Sequence, residues 1–303
     1  MRIKESLVVF LAGLVLGIGI SPYLVSPTAG GVVLGATVES PIPKQSLFGE
    51  LLNELDSTQS SLIKDDKVLI AQDLIPAKLT EEKEKKIGKL TIAVLGDSMV
   101  DTMGPGLPYL EKALRNYYPN YQFNLLNYGA GGTNIEYGII RLTSDYDYLG
   151  KRIPSLVSAS PDIVIVESFA YNPWGGQKSD LDHHWLALAR MVDILKSKGH
   201  AKIIFLATIA ANKVNFGAGP NGVNWSKAQA WEHADKINKY LDNTVKFAQS
   251  QNIPIIDAFH PSLAHDDGNL IFINPGDHIH PSVAGCQFIA NLIAQKLNQL
   301  GWI

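Results

Sequence analysis

The chain has 303 residues, 46% hydrophobic and 18% charged, the balance of a globular protein, which excludes disorder throughout. Lys and Arg number 26 against 29 Asp and Glu, a formal net charge of -3; with no basic surplus, a nucleic-acid partner has no electrostatic support. The single cysteine, Cys286, excludes an internal disulfide, a four-cysteine zinc site and a thioredoxin-type pair.

No charged residue occurs between Glu5 and Glu39, and Leu7–Val25 is almost wholly apolar. A helix over that run would reach about 28 Å, close to the hydrocarbon thickness of a bilayer. Arg2 and Lys4 precede it, and the positive-inside tendency then leaves the amino end in the cytoplasm and the rest outside. Residues 1–38 therefore read as a retained membrane anchor. A cleaved signal peptide is the competing reading, with Ala29-Gly30-Gly31 as its small-residue cleavage site, and would give a secreted protein. Residues 39–89 read as a stalk. Leu47, Leu51 and Leu55 recur at helical spacing, and Thr80–Lys89 is a dense run of mixed charge suited to a solvated spacer.

From Leu90 short apolar runs alternate with amphipathic stretches. Strands are predicted over Leu90–Leu95, Phe123–Leu126, Asp162–Val166, Lys202–Ala207 and Ile253–Ile256. Helices are predicted over Leu107–Tyr118, after Asn134, and over His183–Ser197, Ser226–Gln249 and Pro281–Leu297. This alternation argues for an α/β fold over residues 90–303: a three-layer α/β/α sandwich around a flavodoxin-like parallel sheet of about five strands. In such sheets functional groups collect at the carboxyl ends of strands.

The first strand ends in Gly96-Asp97-Ser98, where a serine hydroxyl can meet a ligand or simply cap a helix. The second ends in Asn127-Tyr128-Gly129-Ala130-Gly131-Gly132-Thr133-Asn134, glycines that let backbone N–H groups approach a ligand. Its spacing matches neither G-x-G-x-x-G nor a P-loop; an oxyanion-binding loop fits better, and a bare tight turn stays open. The third ends in Glu167–Trp174, in which Asn172 is an amide donor that could hold a developing oxyanion or cap the following turn. Near the end comes Gly276-Asp277-His278-Ile279-His280-Pro281, whose D-x-x-H spacing can set a carboxylate against one imidazole nitrogen and leave the other free for a proton. Asp257-Ala258-Phe259-His260-Pro261 repeats that spacing after the fifth strand.

These four blocks, in this order, resemble the SGNH hydrolases, the GDSL esterase/lipase family. The resemblance implies Ser98 as nucleophile, Asp277 and His280 as its acid and base, and an oxyanion hole from the backbone N–H groups of Ser98 and Gly132 with the Asn172 amide. It calls for no cofactor and no metal. The third block reads Ala170-Tyr171-Asn172-Pro173 where the family has G-x-N-D, and Asp277/His280 is favoured over Asp257/His260 because Gly285 and an apolar helix follow it. No G-x-S-x-G elbow surrounds Ser98, which sets the chain apart from the α/β-hydrolases.

The expected function is a membrane-tethered, extracytoplasmic serine esterase acting on a small acyl ester, with O-acetyl on a surface glycan suggested by family and location. An O-acyltransferase to a glycan and a non-catalytic envelope-binding protein on the same fold are the alternatives. Asp180, Asp182, His183 and His184 imitate metal ligands but sit at a helix start, where acidic residues are favourable. Trp174, Trp185, Trp225 and Trp231 could line a sugar-binding surface or pack inside, and Ala210–Asn224, long and rich in Gly and Asn, is expected to contact substrate as a lid.

Overall fold

The computed structural model describes residues 88–303. The expected anchor over 1–38 and nearly all of the stalk over 39–89 lie outside that range; no helix among the described residues is long and apolar enough to cross a membrane.

Five parallel strands form the sheet: β1 (Gly88–Gly96), β2 (Tyr121–Gly129), β5 (Ile163–Glu167), β6 (Lys202–Ala207) and β7 (Ile255–Asp257), in the order β2-β1-β5-β6-β7. Its central strands are buried on both faces, which is why their sequences run apolar without alternation. Alternate residues divide between two cores. Ile92, Val94, Ile163 and Ile165 face the first, built with α2 (Pro108–Tyr117) and α6 (Val283–Gln299). Ala93, Leu95, Val164 and Val166 face the second, built with α3 (Ile135–Thr143) and α4 (Lys178–Lys198). The long α5 (Lys227–Ser250) packs against α4 and β6 and contributes to both cores. A one-turn α1 (Ser98–Asp101) follows β1 directly.

Every strand and helix expected from Leu90 onward is present, Lys202–Ala207 with its expected ends and the others shifted by a few residues. β1 starts at Gly88, so the last residues assigned to the stalk belong to the sheet. α4 begins at Lys178 rather than His183 because Gln177 and Asp180 form a capping box ahead of the apolar stripe. Two short hairpins were not expected: β3 (Tyr146–Tyr148) with β4 (Lys151–Ile153), and β8 (Leu263–Ala264) with β9 (Asp267–Gly268).

The chain leaves β1 for β2 on one side and then crosses to β5 on the other. The crevice between the carboxyl ends of β1 and β5 is therefore the topological switch point, where open α/β sheets hold their ligands. Arg141 of α3, wholly buried, braces one side of it. Its guanidinium donates to the carbonyls of Tyr128 (2.6 Å) and Gly96 (2.9 Å), the ends of β2 and β1. Tyr137, Tyr146 and Phe169 present ring faces to the cation, an environment that sustains a buried charge. Arg141→Met would remove two charge-assisted hydrogen bonds, leaving the Gly96 carbonyl only the Ala130 N–H, at a cost of about 3 kcal/mol. The melting temperature should fall by roughly 6–12 °C; a loss below about 3 °C in a calorimetric scan would show that the brace is dispensable.

Candidate active site

Asp97, the residue after β1, is wholly buried. Its Oδ1 accepts the Met99 N–H (2.8 Å) and caps α1, while Oδ2 accepts the Asn172 side-chain amide (2.9 Å) from the far end of β5. One carboxylate thus sets both the turn that carries Ser98 and the amide that follows β5. Burial pushes the Asp97 pKa up, opposed by the Met99 N–H, the Asn172 amide and the charges of His280 and Arg141.

Glu167, the last residue of β5, is also wholly buried. It meets the Ser168 hydroxyl and accepts the backbone N–H groups of Phe169 (2.8 Å) and Asp97 (3.5 Å). Burial and the neighbouring Asp97 charge push it well above the usual carboxylate range. Burial pushes both carboxyls up, and for Glu167 the Asp97 charge adds to that push.

The glycine loop after β2 comes down beside Ser98. A Cβ placed on Gly131 would lie 3.8 Å from the Ser98 Cβ. Gly132 has φ +68° and nothing within 4 Å of where its Cβ would be, so a left-handed backbone there opens onto free space. Neither the Ser98 nor the Gly132 N–H has an acceptor among the described residues.

The turn before α6 supplies the imidazole. Asp277 Oδ2 lies 2.7 Å from His280 Nδ1, and Oδ1 accepts the backbone N–H groups of Ile279 (2.9 Å) and His280 (3.1 Å). Burial alone would raise the Asp277 pKa; those three bonds and the imidazole charge outweigh it and hold the carboxyl below its usual value. Asp257 and His260 form an identical local pair, also at 2.7 Å. They stand at the end of β7, three strand spacings from β1 and hence about 14 Å away along the sheet. His280, not His260, is among the charges that act on Asp97. Ser98, the glycine loop and Asn172 thus meet at one crevice, the Asp277–His280 turn is linked to it through the Ala210–Asn224 segment whose Phe216 contacts Tyr171, and His260 stands at the edge strand.

The Ala210–Asn224 segment is hydrogen-bonded to the same turn. Asn221 N–H donates to the Gly276 carbonyl (2.8 Å), Gly217 N–H to the His278 carbonyl (3.4 Å), and His278 Nδ1 to the Ala218 carbonyl (2.7 Å). Its Phe216 contacts Tyr171 after β5 (centroids 6.2 Å apart) and stacks on Trp225 at 6.0 Å. Trp225 and Trp231 are exposed, whereas Trp174 is half-buried and stacked on His183 at 4.0 Å.

The scan against family models matches the GDSL-like Lipase/Acylhydrolase family over residues 94–288. The chain belongs to this family. It is a carboxylic ester hydrolase of the SGNH/GDSL type. No curated protein matches it at a significant level. Among solved structures, a lipase/acylhydrolase from Enterococcus faecalis is 17% identical, covering 70% of this chain and 96% of its own, with TM-score 0.49. A GDSL-like lipase from Bacteroides thetaiotaomicron is 15% identical over 70% and 89%, with TM-score 0.48. A gut microbial diltiazem-metabolizing enzyme is 16% identical over 70% and 47%, with TM-score 0.50. At these identities the likeness concerns the fold.

The metal-like cluster on α4 is otherwise engaged. Lys178 pairs with Asp182 (2.6 Å), Asp180 caps the helix, and His183 meets Glu136 (3.1 Å); no group among the described residues could hold a metal ion. His184 is buried, donating from Nε2 to the Ser168 carbonyl (2.8 Å) and accepting the Asn243 amide at Nδ1 (3.0 Å). The neutral ring satisfies both contacts, and burial lowers its pKa to about 4. The unfolded chain takes up this proton near pH 6.5 and the folded chain only near 4, so folding loses about 3 kcal/mol as pH falls through that window. Urea titrations should show His184→Gln losing less stability than wild type between pH 6.5 and 4; equal losses would clear His184 as the source.

Proposed function

We propose that this ester hydrolase is tethered to a membrane by residues 1–38, works outside the cytoplasm, and removes small acyl groups, O-acetyl from a surface glycan in particular. Ser98 is the nucleophile, His280 its base and Asp277 the group that orients the imidazole. The observation that carries this reading is the Asp97 carboxyl beside Ser98, which accepts the Asn172 amide at 2.9 Å, together with the oriented Asp277–His280 pair at 2.7 Å.

His280 Nδ1 is taken by Asp277, so Nε2 is the nitrogen left to accept the Ser98 hydroxyl proton as Oγ attacks the ester carbonyl. The C=O π bond opens to an oxyanion held by the Ser98 and Gly132 N–H groups and by the Asn172 amide hydrogen not used by Asp97. The tetrahedral centre collapses, the alcohol leaves with the proton from His280, and the acyl group stays on Ser98. Water, deprotonated by His280, then repeats the sequence and releases the acid. Asp277 stabilises the imidazolium in both halves without taking its proton.

The apolar Leu7–Val25 run behind Arg2 and Lys4 supports the tether. The exposed Trp225 and Trp231 support a glycan, since flat apolar rings open to solvent suit the C–H faces of a sugar.

In full chain purified in detergent, Ser98→Ala should abolish p-nitrophenyl acetate hydrolysis, and His280→Ala should reduce kcat by roughly 1,000-fold or more. His260→Ala should stay within about threefold of wild type, as befits a residue that touches no reacting atom. Full turnover in Ser98→Ala, or a larger loss from His260→Ala than from His280→Ala, would refute the assignment. Trp225→Ala should raise KM for an acetylated oligosaccharide and leave p-nitrophenyl acetate kinetics unchanged; equal effects on both substrates would argue against a sugar platform.

A further inference from the structure

The β3–β4 hairpin delivers a side chain into the crevice that the mechanism above does not use. The turn residues Leu149 and Gly150 both have positive φ, +48° and +71°, the two-residue geometry that suits strand twist. Tyr148, just before the turn, is packed against the second core. Its hydroxyl donates to Asp101 Oδ2 (2.7 Å) and accepts the Gly131 N–H (2.8 Å). Asp101 closes α1, the helix that begins with Ser98, and Gly131 precedes Gly132.

We infer that Tyr148 is a positioning residue for the oxyanion hole, tying the glycine loop to the helix of the nucleophile so that the Ser98 and Gly132 N–H groups converge on one point. This rests on the catalytic reading given above. Two consecutive glycines have the widest backbone freedom of any dipeptide, and Gly132 has no side-chain neighbour to hold it. The loop is fastened on its strand side by Ala130 N–H to the Gly96 carbonyl (3.1 Å) and by Thr133 Oγ1 to the Ala130 carbonyl (2.7 Å). Between those points, the Tyr148 hydroxyl is the one bond among the described residues that reaches from the loop to α1. It also occupies the Gly131 N–H, leaving that of Gly132 to the substrate. Burial and the Asp101 charge raise the phenol pKa, so the hydroxyl keeps its proton and can donate and accept at once.

A donor misplaced by a fraction of an ångström loses much of its effect on the transition state and little of its effect on ground-state binding. Tyr148→Phe in the full chain should therefore lower kcat for p-nitrophenyl acetate by roughly 10- to 100-fold, with KM within about twofold and an unshifted pH–rate profile. Asp101→Ala should fall to a similar level and the double variant no further, because both remove one linkage; Asp101→Asn, which keeps an acceptor oxygen, should recover most of the activity. Unchanged kcat in Tyr148→Phe, or losses that multiply in the double variant, would overturn the inference. So would a kcat loss that merely follows the fraction of unfolded protein by circular dichroism. Ser98→Ala measured alongside separates the two claims: an inactive Ser98→Ala with a fully active Tyr148→Phe sinks this inference alone, and an active Ser98→Ala sinks the catalytic reading itself.

Discussion

A negative charge without solvent, at the end of the first strand, organises this crevice. Asp97 must find donors inside the protein, because an unpaired buried carboxylate is far too costly to keep. It finds them on two segments, its own α1 turn and the Asn172 amide after β5, with the Arg141 cation as a further favourable charge. The requirement that stabilises the charge therefore also brings the nucleophile's turn and the amide donor into register. Glu167 sharpens the demand. Its carboxyl, buried and accepting the Asp97 backbone N–H, is pushed well above the usual range by burial and by the Asp97 charge.

The sheet and its helices were legible because their signals are local. Runs such as Leu90–Leu95 and Lys202–Ala207 can hardly be anything but buried strands, and the helices repeat their apolar residues with the right period. The β3–β4 hairpin hides for an equally local reason: Leu149 at a left-handed turn position replaces the Asn or Asp that would announce it. Only the alternation of Tyr146 and Tyr148 around Asp147 hints at a strand. Arg141 and Glu167 do stand out in the sequence as single charges in apolar runs. What each is paired with is set by tertiary packing, and no spacing rule reveals that Arg141 reaches two strand ends or that Glu167 touches Asp97.

The two D-x-x-H-P copies show how far local chemistry goes and where it stops. In both, the same turn geometry brings Oδ2 within 2.7 Å of Nδ1, so an oriented imidazole is an inexpensive consequence of that tetrapeptide. Strand order separates the copies. The turn before α6 folds back over the crevice and is held there by the Ala210–Asn224 segment, whereas the His260 turn stays at the edge strand, with the imidazole half exposed to solvent.

Parallel strands give the sheet two unlike rims. Gly88 opens β1 at the rim opposite the crevice, and Trp302 lies against Lys202, the first residue of β6, at that same rim. The described residues thus begin and end at the rim away from the crevice, and neither end obstructs the mouth through which a bulky substrate would enter.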